Sequence, residues 1–242
     1  MSEANPPPRG RGILGAAIGG GVVGSLLTAA ALLFALPNVL SSKIVRQGLL
    51  NDPKILSDAV DALRDAQYAP VLAANRTALE TPFGSSWRGS AKPDVTMVEF
   101  FDYACPYCKA SNPHVDRLLQ EDKGLRVVYR ELPILGPDSV NAARLSLEAS
   151  KLGRFAQFHD SLWAAGRPAA DTNAAAAKIA GIDAAPKSDP EVEAELKKNF
   201  QLAGQLGATG TPLFVIGDRV MNGAVGYDAL KEAIAAARRK AS

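Results

Sequence analysis

The apolar positions along the chain predict an α/β domain that begins near residue 95. Residues 95–101 are apolar around a single acidic side chain, Glu99, which is typical of a buried strand. Residues 106–120 carry apolar side chains at helical spacing, and residues 125–132 form a second apolar run. A strand, a helix and a second strand in this order predict a βαβ unit with parallel strands.

Helical patterns dominate the next part of the chain, and a second strand-forming unit closes it. Four segments have helical spacing with breaks between them, namely residues 139–152, 154–165, 171–182 and 190–206. They predict a helical insertion at about residues 138–207 within an α/β domain that spans residues 95–240. Residues 212–216 and 219–222 then predict an antiparallel hairpin, and residues 227–239 predict a closing helix.

The region before this domain has an apolar pattern of its own. Between residues 43 and 75, apolar side chains recur at helical spacings, at Val45, Leu49, Leu56, Val60 and Leu63. Asp52-Pro53 interrupts this pattern, as expected of an N-cap followed by proline in the first turn. We therefore predict a helical stalk over residues 41–80, followed by a linker rich in Gly, Ser and Pro over residues 81–94. The stalk either packs on the α/β domain or self-associates, giving a homo-oligomer through residues 43–75.

The first forty residues differ from the rest of the chain. Residues 13–36 are a run of 24 positions without a charge, and Arg9 and Arg11 precede it. A helix of that length spans about 36 Å, against about 30 Å of hydrocarbon in a bilayer. This predicts a transmembrane anchor at residues 13–36, a cytoplasmic tail at residues 1–12 and an exported remainder. A signal peptide is the alternative, although the long run and Pro37 directly after it favour a retained anchor.

Composition narrows the classes of function. The 242 residues carry a net charge of +2 without a long basic run, which gives no reason to expect nucleic-acid binding. The chain has two cysteines, Cys105 and Cys108, and both lie in one Cys-Pro-Tyr-Cys motif. An exported domain that depends on disulfides for stability usually has more cysteines, placed to close long loops. The pair is therefore interpreted as a reactive site.

A CxxC motif between a strand and a helix favours thiol–disulfide exchange. Cys105 is predicted at the helix N-terminus, where unpaired N–H groups and the helix dipole stabilise a thiolate nucleophile. Cys108 follows one turn later, where it can resolve a mixed disulfide, and Pro106 fixes the first turn. A zinc site is the alternative, but zinc needs four ligands and the histidines, His114 and His159, follow no finger spacing. We therefore expect no metal and no cofactor beyond the redox-active disulfide.

Three separated motifs resemble the DsbA-like family of bacterial thiol–disulfide oxidoreductases. They are residues 98–108 (VEFFDYACPYC), 131–139 (ELPILGPDS) and 210–214 (GTPLF). The resemblance covers roughly residues 96–237 and implies a thioredoxin fold with a helical insertion, in agreement with the apolar pattern. The helical segment before the domain resembles the suppressor-of-copper-sensitivity C branch, whose members can trimerise through this region and can act as disulfide isomerases.

The resemblance also implies roles for individual residues. Thr211-Pro212 would form a cis-proline loop beside the cysteines, where the backbone of Thr211 can pair with a substrate strand. Pro106 and Tyr107 would complete the surface that substrates meet. Glu99 matches the buried acid of the family's first strand and would carry a proton during exchange. The alternative for Glu99 is a strand-edge carboxylate that faces water.

Tyr107 departs from the pattern of the strongly oxidising members, which carry a histidine between the cysteines. Tyrosine brings no positive charge, so it stabilises a neighbouring thiolate less. For a two-electron couple about 1.4 kcal/mol corresponds to about 30 mV, so a small loss of stabilisation shifts the reduction potential measurably. We therefore predict a weaker oxidant than the members that contain histidine.

These predictions together describe an exported thiol–disulfide oxidoreductase on the periplasmic side of the bacterial inner membrane. Its expected partners are substrate proteins with cysteines and a membrane redox partner. The leading hypothesis is that the oxidised pair accepts electrons from substrate thiols. Isomerisation or reduction by an oligomer is the second hypothesis, and a non-catalytic peptide-binding module is the third. Cleavage of the N-terminal segment would leave the protein soluble in the periplasm.

Overall fold

The structure, a computed structural model, describes residues 43–185 and 189–241. The anchor predicted at residues 13–36 and the tail predicted at residues 1–12 lie outside the described residues. Within the described part of the chain, none of the helices combines the length and the apolar composition that crossing a bilayer requires.

Residues 43–51 are helical, and the described chain then alternates further helices with the strands of one sheet. The helices are α1 (Lys54–Glu80), α2 (Pro106–Glu121), α3 (Pro137–Lys151), α4 (Phe155–Ala165), α5 (Ala170–Ala180), α6 (Pro190–Gln205) and α7 (Tyr227–Ala241). The strands are β1 (Trp87–Gly89), β2 (Val95–Phe101), β3 (Leu125–Glu131), β4 (Leu213–Ile216) and β5 (Arg219–Asn222).

The strands pair in the order β1-β3-β2-β4-β5. β2 and β3 are parallel and are joined by α2, whereas β4 pairs antiparallel with both β2 and β5. The predicted βαβ unit, helical insertion and ββα unit are confirmed. This is the thioredoxin fold with helices α3 to α6 inserted between β3 and β4.

The central strand β2 is buried on both faces of the sheet. Successive strand residues point in opposite directions, so Met97 and Phe101 pack on one face and Val98 and Phe100 on the other. The first pair belongs to a cluster with α2, α7 and the insertion helices α3 to α5. The second pair belongs to a cluster with α1 and α6. Burial on both faces explains the nearly continuous apolar run of this strand.

The segment predicted as a linker, residues 81–94, contains a strand of the sheet. β1 pairs antiparallel with β3, and Trp87 lies opposite Val128. A strand of three residues is too short to show an apolar alternation, so the Gly, Ser and Pro around it dominate the sequence signal. The sheet therefore begins before residue 95, the start predicted for the domain.

The predicted stalk divides into two parts with different surroundings. Residues 43–61 belong to a separate compact unit, and the predicted break is present in it. There the backbone N–H of Lys54 donates to Oδ1 of Asp52 at 3.1 Å, as in an N-cap. Further along α1, Leu72 and Leu79 are buried in the cluster on the sheet. Packing on the domain, one of the two alternatives, therefore holds for the end of α1.

Arg130 of β3 fixes the end of α1. Its side chain is 1% exposed, with Nε donating to the carbonyl of Leu79 at 3.0 Å and Nη2 to that of Thr81 at 2.8 Å. Nη1 donates to Oε1 of Glu195 at 2.8 Å and to Oδ1 of Asn199 at 2.9 Å, both on α6. The last carbonyls of a helix lack partners within the helix, so a buried cation satisfies them and complements the helix dipole.

Candidate active site

Cys105 and Cys108 lie where the chain leaves β2 and enters α2. Cys105 is the N-cap residue, with an extended backbone (φ −81°, ψ 117°), and Pro106 occupies the first turn. Proline loses no hydrogen bond there, because an N–H at that position has no partner within the helix. Cys105 is 4% exposed and lines a surface groove, whereas Cys108 is 0% exposed; both are thiols. The motif therefore offers one sulfur to the surface and keeps the other in the core.

Asp102 holds the turn that leads into the cysteines. Its Oδ1 accepts hydrogen bonds from the backbone N–H of Ala104, at 2.8 Å, and from the hydroxyl of Ser139. Its Oδ2 accepts from the backbone N–H groups of Ile134 and Leu135, at 2.8 and 3.0 Å. The buried carboxylate therefore ties this turn to the loop before α3. The local sequence around Asp102 gave no sign of these distant partners.

The Thr211-Pro212 loop lies beside Cys105. The peptide bond between Thr211 and Pro212 is cis, as the family resemblance implies. Sγ of Cys105 donates to the carbonyl oxygen of Thr211 at 3.2 Å. The antiparallel pairing of β4 with β2 sets Leu213 opposite Phe100, which brings the start of β4 to the end of β2. The sheet thereby joins two predicted site segments that are far apart in sequence.

Glu99 lies in the interior of the sheet, between Tyr129 of β3 and Phe214 of β4. It is 1% exposed, and its Oε2 has no hydrogen-bond partner among the described residues. The carboxyl group is therefore buried, as the resemblance implies, and does not face water at a strand edge. Burial, with a smaller contribution from the negative charge of Asp116, raises the pKa of Glu99 to about 8. The group is mostly protonated at neutral pH.

Cys108 shares the environment of Glu99. Alternation along β2 points Glu99 to the same face as Met97 and Phe101, and both cysteines belong to the cluster on that face. Burial raises the pKa of the Cys108 thiol, and Glu99 raises it further when its carboxyl group is ionised. The Cys108 thiol therefore keeps its proton near neutral pH unless a base removes it.

His159 lies in an aromatic cluster next to the turn. Its Nε2 is 3.2 Å from Nε1 of Trp163, and its Nδ1 is 3.1 Å from the hydroxyl of Tyr103. An indole N–H can only donate, so Nε2 accepts and Nδ1 donates its proton to Tyr103. Burial lowers the pKa of His159 to about 3, which keeps the ring neutral. The Tyr103 hydroxyl lies 3.0 Å from that of Ser146, so this network links α4, the turn and α3.

The structural role of His159 is one that the sequence pattern missed. The sequence indicated His159 only as a candidate zinc ligand. The one feature that could have indicated a structural role is its position on the buried face of α4. Within the described residues, no group of three or more His, Cys, Asp or Glu is placed to hold a metal ion.

A groove of about 230 Å³ opens beside Cys105. Its lining residues are Tyr103, Ala104, Cys105, Pro106, Lys109, Trp163, Gly166 and Arg167. Tyr107, which sits between the cysteines, is 65% exposed and does not line this groove. The first turn of α2 therefore places Pro106 in the groove and leaves Tyr107 in solvent.

Replacing Glu99 with glutamine should change how the stability of the protein depends on pH. The carboxyl group ionises near its ordinary value of 4.5 in the unfolded chain and near 8 in the folded protein. Between these values the unfolded chain releases the proton first, so the wild type loses stability as the pH rises, by up to about 5 kcal/mol. Glutamine does not titrate, so the unfolding free energy of the variant relative to that of the wild type should increase as the pH rises from about 4.5 to about 8.

Urea unfolding of both proteins from about pH 4 to about pH 9 measures this difference. Glu131, a second buried carboxyl group with a raised pKa, is present in both proteins and cancels in the comparison. A difference in unfolding free energy that stays constant over the whole range would contradict a buried, protonated Glu99.

Comparison with known proteins gives a family model and several related proteins. The model of the DSBA-like thioredoxin domain matches residues 96–235. Disulfide bond formation protein D of Bacillus subtilis is 28% identical over 163 residues, which cover 60% of this chain and 73% of that protein. The chain also matches the Na(+)/H(+) antiporter NhaA 3 of Salinispora tropica, 30% identical over 157 residues and 62% of this chain. It spans only 24% of the length of that antiporter.

Solved structures show the same fold. A thioredoxin-like oxidoreductase from Silicibacter pomeroyi is 37% identical with a TM-score of 0.64, covering 68% of this chain and 98% of that chain. Proteus mirabilis ScsC in a transitional conformation is 29% identical with a TM-score of 0.65. That match covers 87% of this chain and 99% of ScsC, so it extends beyond the residues that the family model matches.

Proposed function

This chain belongs to the DSBA-like thioredoxin domain family, and we propose that it is a thiol–disulfide oxidoreductase that forms disulfides in exported proteins. The contact of the Cys105 sulfur with the Thr211 carbonyl, at 3.2 Å, carries the proposal. It sets a surface sulfur next to a loop that an extended substrate can join as an added strand. Pro106 and Tyr107 complete the surface that substrates meet.

The proposed reaction transfers two electrons from a substrate to the cysteine pair. A substrate thiolate attacks Sγ of Cys105, which breaks the Cys105–Cys108 disulfide and forms a mixed disulfide between Cys105 and the substrate. The sulfur of Cys108 leaves as a thiolate. A second substrate thiolate then attacks the substrate sulfur of the mixed disulfide and releases Cys105. The substrate leaves oxidised, the pair is reduced, and a membrane redox partner reoxidises it.

Glu99 is proposed to supply the proton that the leaving sulfur needs. Its pKa near 8 keeps it protonated at neutral pH, whereas the pKa of Cys108 is raised above the ordinary thiol value of about 8.5. Transfer of the proton from Glu99 to the Cys108 thiolate is therefore downhill. In the reverse step, an ionised Glu99 would accept the same proton and activate Cys108.

Oxidation of a reduced, unfolded substrate tests the direction of electron flow. The oxidised protein should introduce disulfides into reduced ribonuclease, with one pair reduced for each disulfide formed, and Cys105→Ser should fall to the uncatalysed rate. The control is scrambled ribonuclease mixed with the reduced protein. If the protein reactivated scrambled ribonuclease but did not oxidise reduced ribonuclease, the result would contradict the proposal and favour isomerisation.

Replacing Tyr107 with histidine should make the pair a stronger oxidant. A histidine at this exposed position replaces the phenol with a ring that carries a partial positive charge near the thiolate of the reduced form. Each 1.4 kcal/mol of added stabilisation raises the reduction potential by about 30 mV, so we expect a rise of tens of millivolts. Equilibration with glutathione measures the potential, and Tyr107→Phe is the matched control. An equal shift in both variants would contradict a charge effect.

Isomerisation by an oligomer is the second candidate function, and two observations favour it. The match to ScsC covers 87% of this chain. Large apolar side chains are also exposed along the helical segments before the domain, at Ile44, Val45, Leu50, Ile55, Leu56, Val60 and Leu63. Association of several copies through these segments would cover the exposed apolar side chains.

Sedimentation of the full chain tests this second candidate. A monomer has a mass of 25.4 kDa, and association should give a multiple of that mass. Leu56→Lys should reduce the mass to that of the monomer, because it places a charge in the apolar face. Leu152→Lys, at an equally exposed leucine outside the segment, is the control. A monomer at all concentrations of the wild type would remove the basis for an oligomeric isomerase.

We also propose the arrangement of the chain in the cell. Residues 13–36 would anchor it in the inner membrane, residues 1–12 would lie in the cytoplasm, and the cysteine pair would face the periplasm. The alternative is a soluble periplasmic protein released by cleavage. Fractionation of cells followed by mass spectrometry of the N-terminus distinguishes a retained anchor from a cleaved one.

A further inference from the structure

The groove beside Cys105 carries positive charge and no negative charge. Two of its lining residues, Lys109 and Arg167, are cations, and none of them is an acid. Lys109 lies one helical turn after Cys105 on α2, whereas Arg167 lies in the connection between α4 and α5. The two cations therefore reach one groove from two separate parts of the chain.

Both cations are exposed and make no ion pair within the described residues, unlike many basic side chains of this domain. Arg88, which lies in a neighbouring cavity under α4, pairs with Asp116 at 2.9 Å and with Asp160 at 3.4 Å. The groove is thus a place where positive charge has no internal partner. A ligand with a negative charge would supply one.

The walls of the groove are held in place before any ligand binds. Trp163 donates to His159 and Tyr103 accepts from the same ring, so both aromatic walls are fixed by one buried histidine. Gly166 ends α4 with φ of +113°, a conformation that side chains with a Cβ rarely adopt. Because the aromatic walls are already ordered, binding a peptide segment beside Lys109 and Arg167 costs little conformational entropy in the walls.

We propose that this groove is a subsite for carboxylate groups that flank the reacting cysteine of a substrate. The inference rests on the proposed function, because it requires that a substrate cysteine reach Cys105. A peptide that reacts there must extend past the sulfur on both sides, and the groove receives one of these sides. Lys109 and Arg167 then select acidic segments over basic ones. The two residues are specificity residues and take no part in electron transfer.

The expected preference is moderate because both cations are exposed. Exposed ion pairs contribute a few tenths to about 1 kcal/mol, which is about two- to fivefold in rate for each cation. The preference should shrink at high salt, since the Debye length falls from about 10 Å at 0.1 M to about 3 Å at 1 M. Glutathione offers the same chemistry, a thiol with carboxylates, so the test must separate peptide segments from this small molecule.

The test compares three capped peptides, each with a single cysteine flanked by two Glu, two Gln or two Lys residues. The rate at which each peptide reduces the Cys105–Cys108 disulfide of the full chain is measured by acid quenching and mass spectrometry. Each rate is divided by the rate of the same peptide with hydroxyethyl disulfide, which is neutral, to remove differences in intrinsic thiol reactivity. Glutathione forms a fourth arm.

The normalised rates should fall in the order Glu, Gln, Lys, and the Glu-to-Lys ratio should drop at least fivefold in Lys109→Gln/Arg167→Gln. Lys197→Gln/Arg239→Gln, which removes an exposed lysine and an exposed arginine outside the groove, should keep the ratio. If the variant slowed all peptides equally, the cations would tune the sulfur and the inference would be overturned. If Lys109 and Arg167 accelerated the reaction of glutathione but not that of the Glu peptide, the proposed subsite for protein segments would be overturned. If no peptide reduced the wild-type pair, the proposed function itself would fail.

Discussion

Replacing Cys108 with alanine should leave substrate proteins covalently attached to Cys105. The variant keeps Cys105 and the Thr211 loop but loses the Cys108 thiol, which in the reverse step attacks Sγ of Cys105 and releases the substrate. Only a second substrate thiol can then resolve the adduct, so adducts should accumulate in the variant and not in the wild type. Non-reducing electrophoresis of cells that express the variant should show new bands that disappear with reductant.

The trapped partners also identify the substrates. Mass spectrometry of the adducts should find exported proteins with cysteines, joined through Cys105. The double variant Cys105→Ala/Cys108→Ala has no cysteine at the site and should trap nothing. Equal trapping by the double variant would show that the adducts are non-specific, and a complete absence of adducts in Cys108→Ala would count against exchange with protein thiols.

Replacing Arg130 with methionine should destabilise the domain by about 3–5 kcal/mol. The substitution leaves buried Glu195 with only the half-exposed Lys198 as a cationic partner, and it leaves the last carbonyls of α1 unsatisfied. Arg144→Met is the matched control, since it breaks an Arg–Glu pair that is partly exposed. It should cost at most about 1 kcal/mol. Urea unfolding of the three proteins measures the two losses.

A second variant separates the buried charge from the loss of the helix-end contacts. In Arg130→Met/Glu195→Met both charges are gone, so the part of the loss that comes from a buried carboxylate without its arginine should be recovered. The remainder reports the contacts to Leu79 and Thr81. A loss in Arg130→Met no larger than that of the surface control would show that the buried pair contributes little.

The sequence pattern predicted most of the fold because each main element has its own local signal. Val95–Phe101 and Leu125–Glu131 are apolar runs, and the inserted helices have spacing and breaks of their own. Trp87–Gly89 was missed because a strand of three residues depends on its partner β3 for its existence. Arg130 lies inside a predicted strand, yet its partners are backbone carbonyls and α6 side chains that no local pattern reveals.

The part of the candidate site that could be predicted is the part formed by residues close together in the sequence. The spacing of Cys105 and Cys108 predicts the reactive pair without any knowledge of the fold. The position of Thr211 beside Cys105 needed the pairing of β4 with β2, and the family resemblance supplied that expectation. Asp102 and His159 act through contacts with distant segments, so their local sequence gives no sign of them.

The two oxygens of Asp102 couple the turn before Cys105 to the loop before α3. One oxygen holds Ala104, and the other holds Ile134 and Leu135, whose side chains are exposed. A displacement of Ile134 or Leu135 would therefore be transmitted through the Asp102 carboxylate to Ala104, which precedes Cys105. We therefore expect substitutions at Ile134 or Leu135 to alter the reactivity of Cys105 without contacting its sulfur.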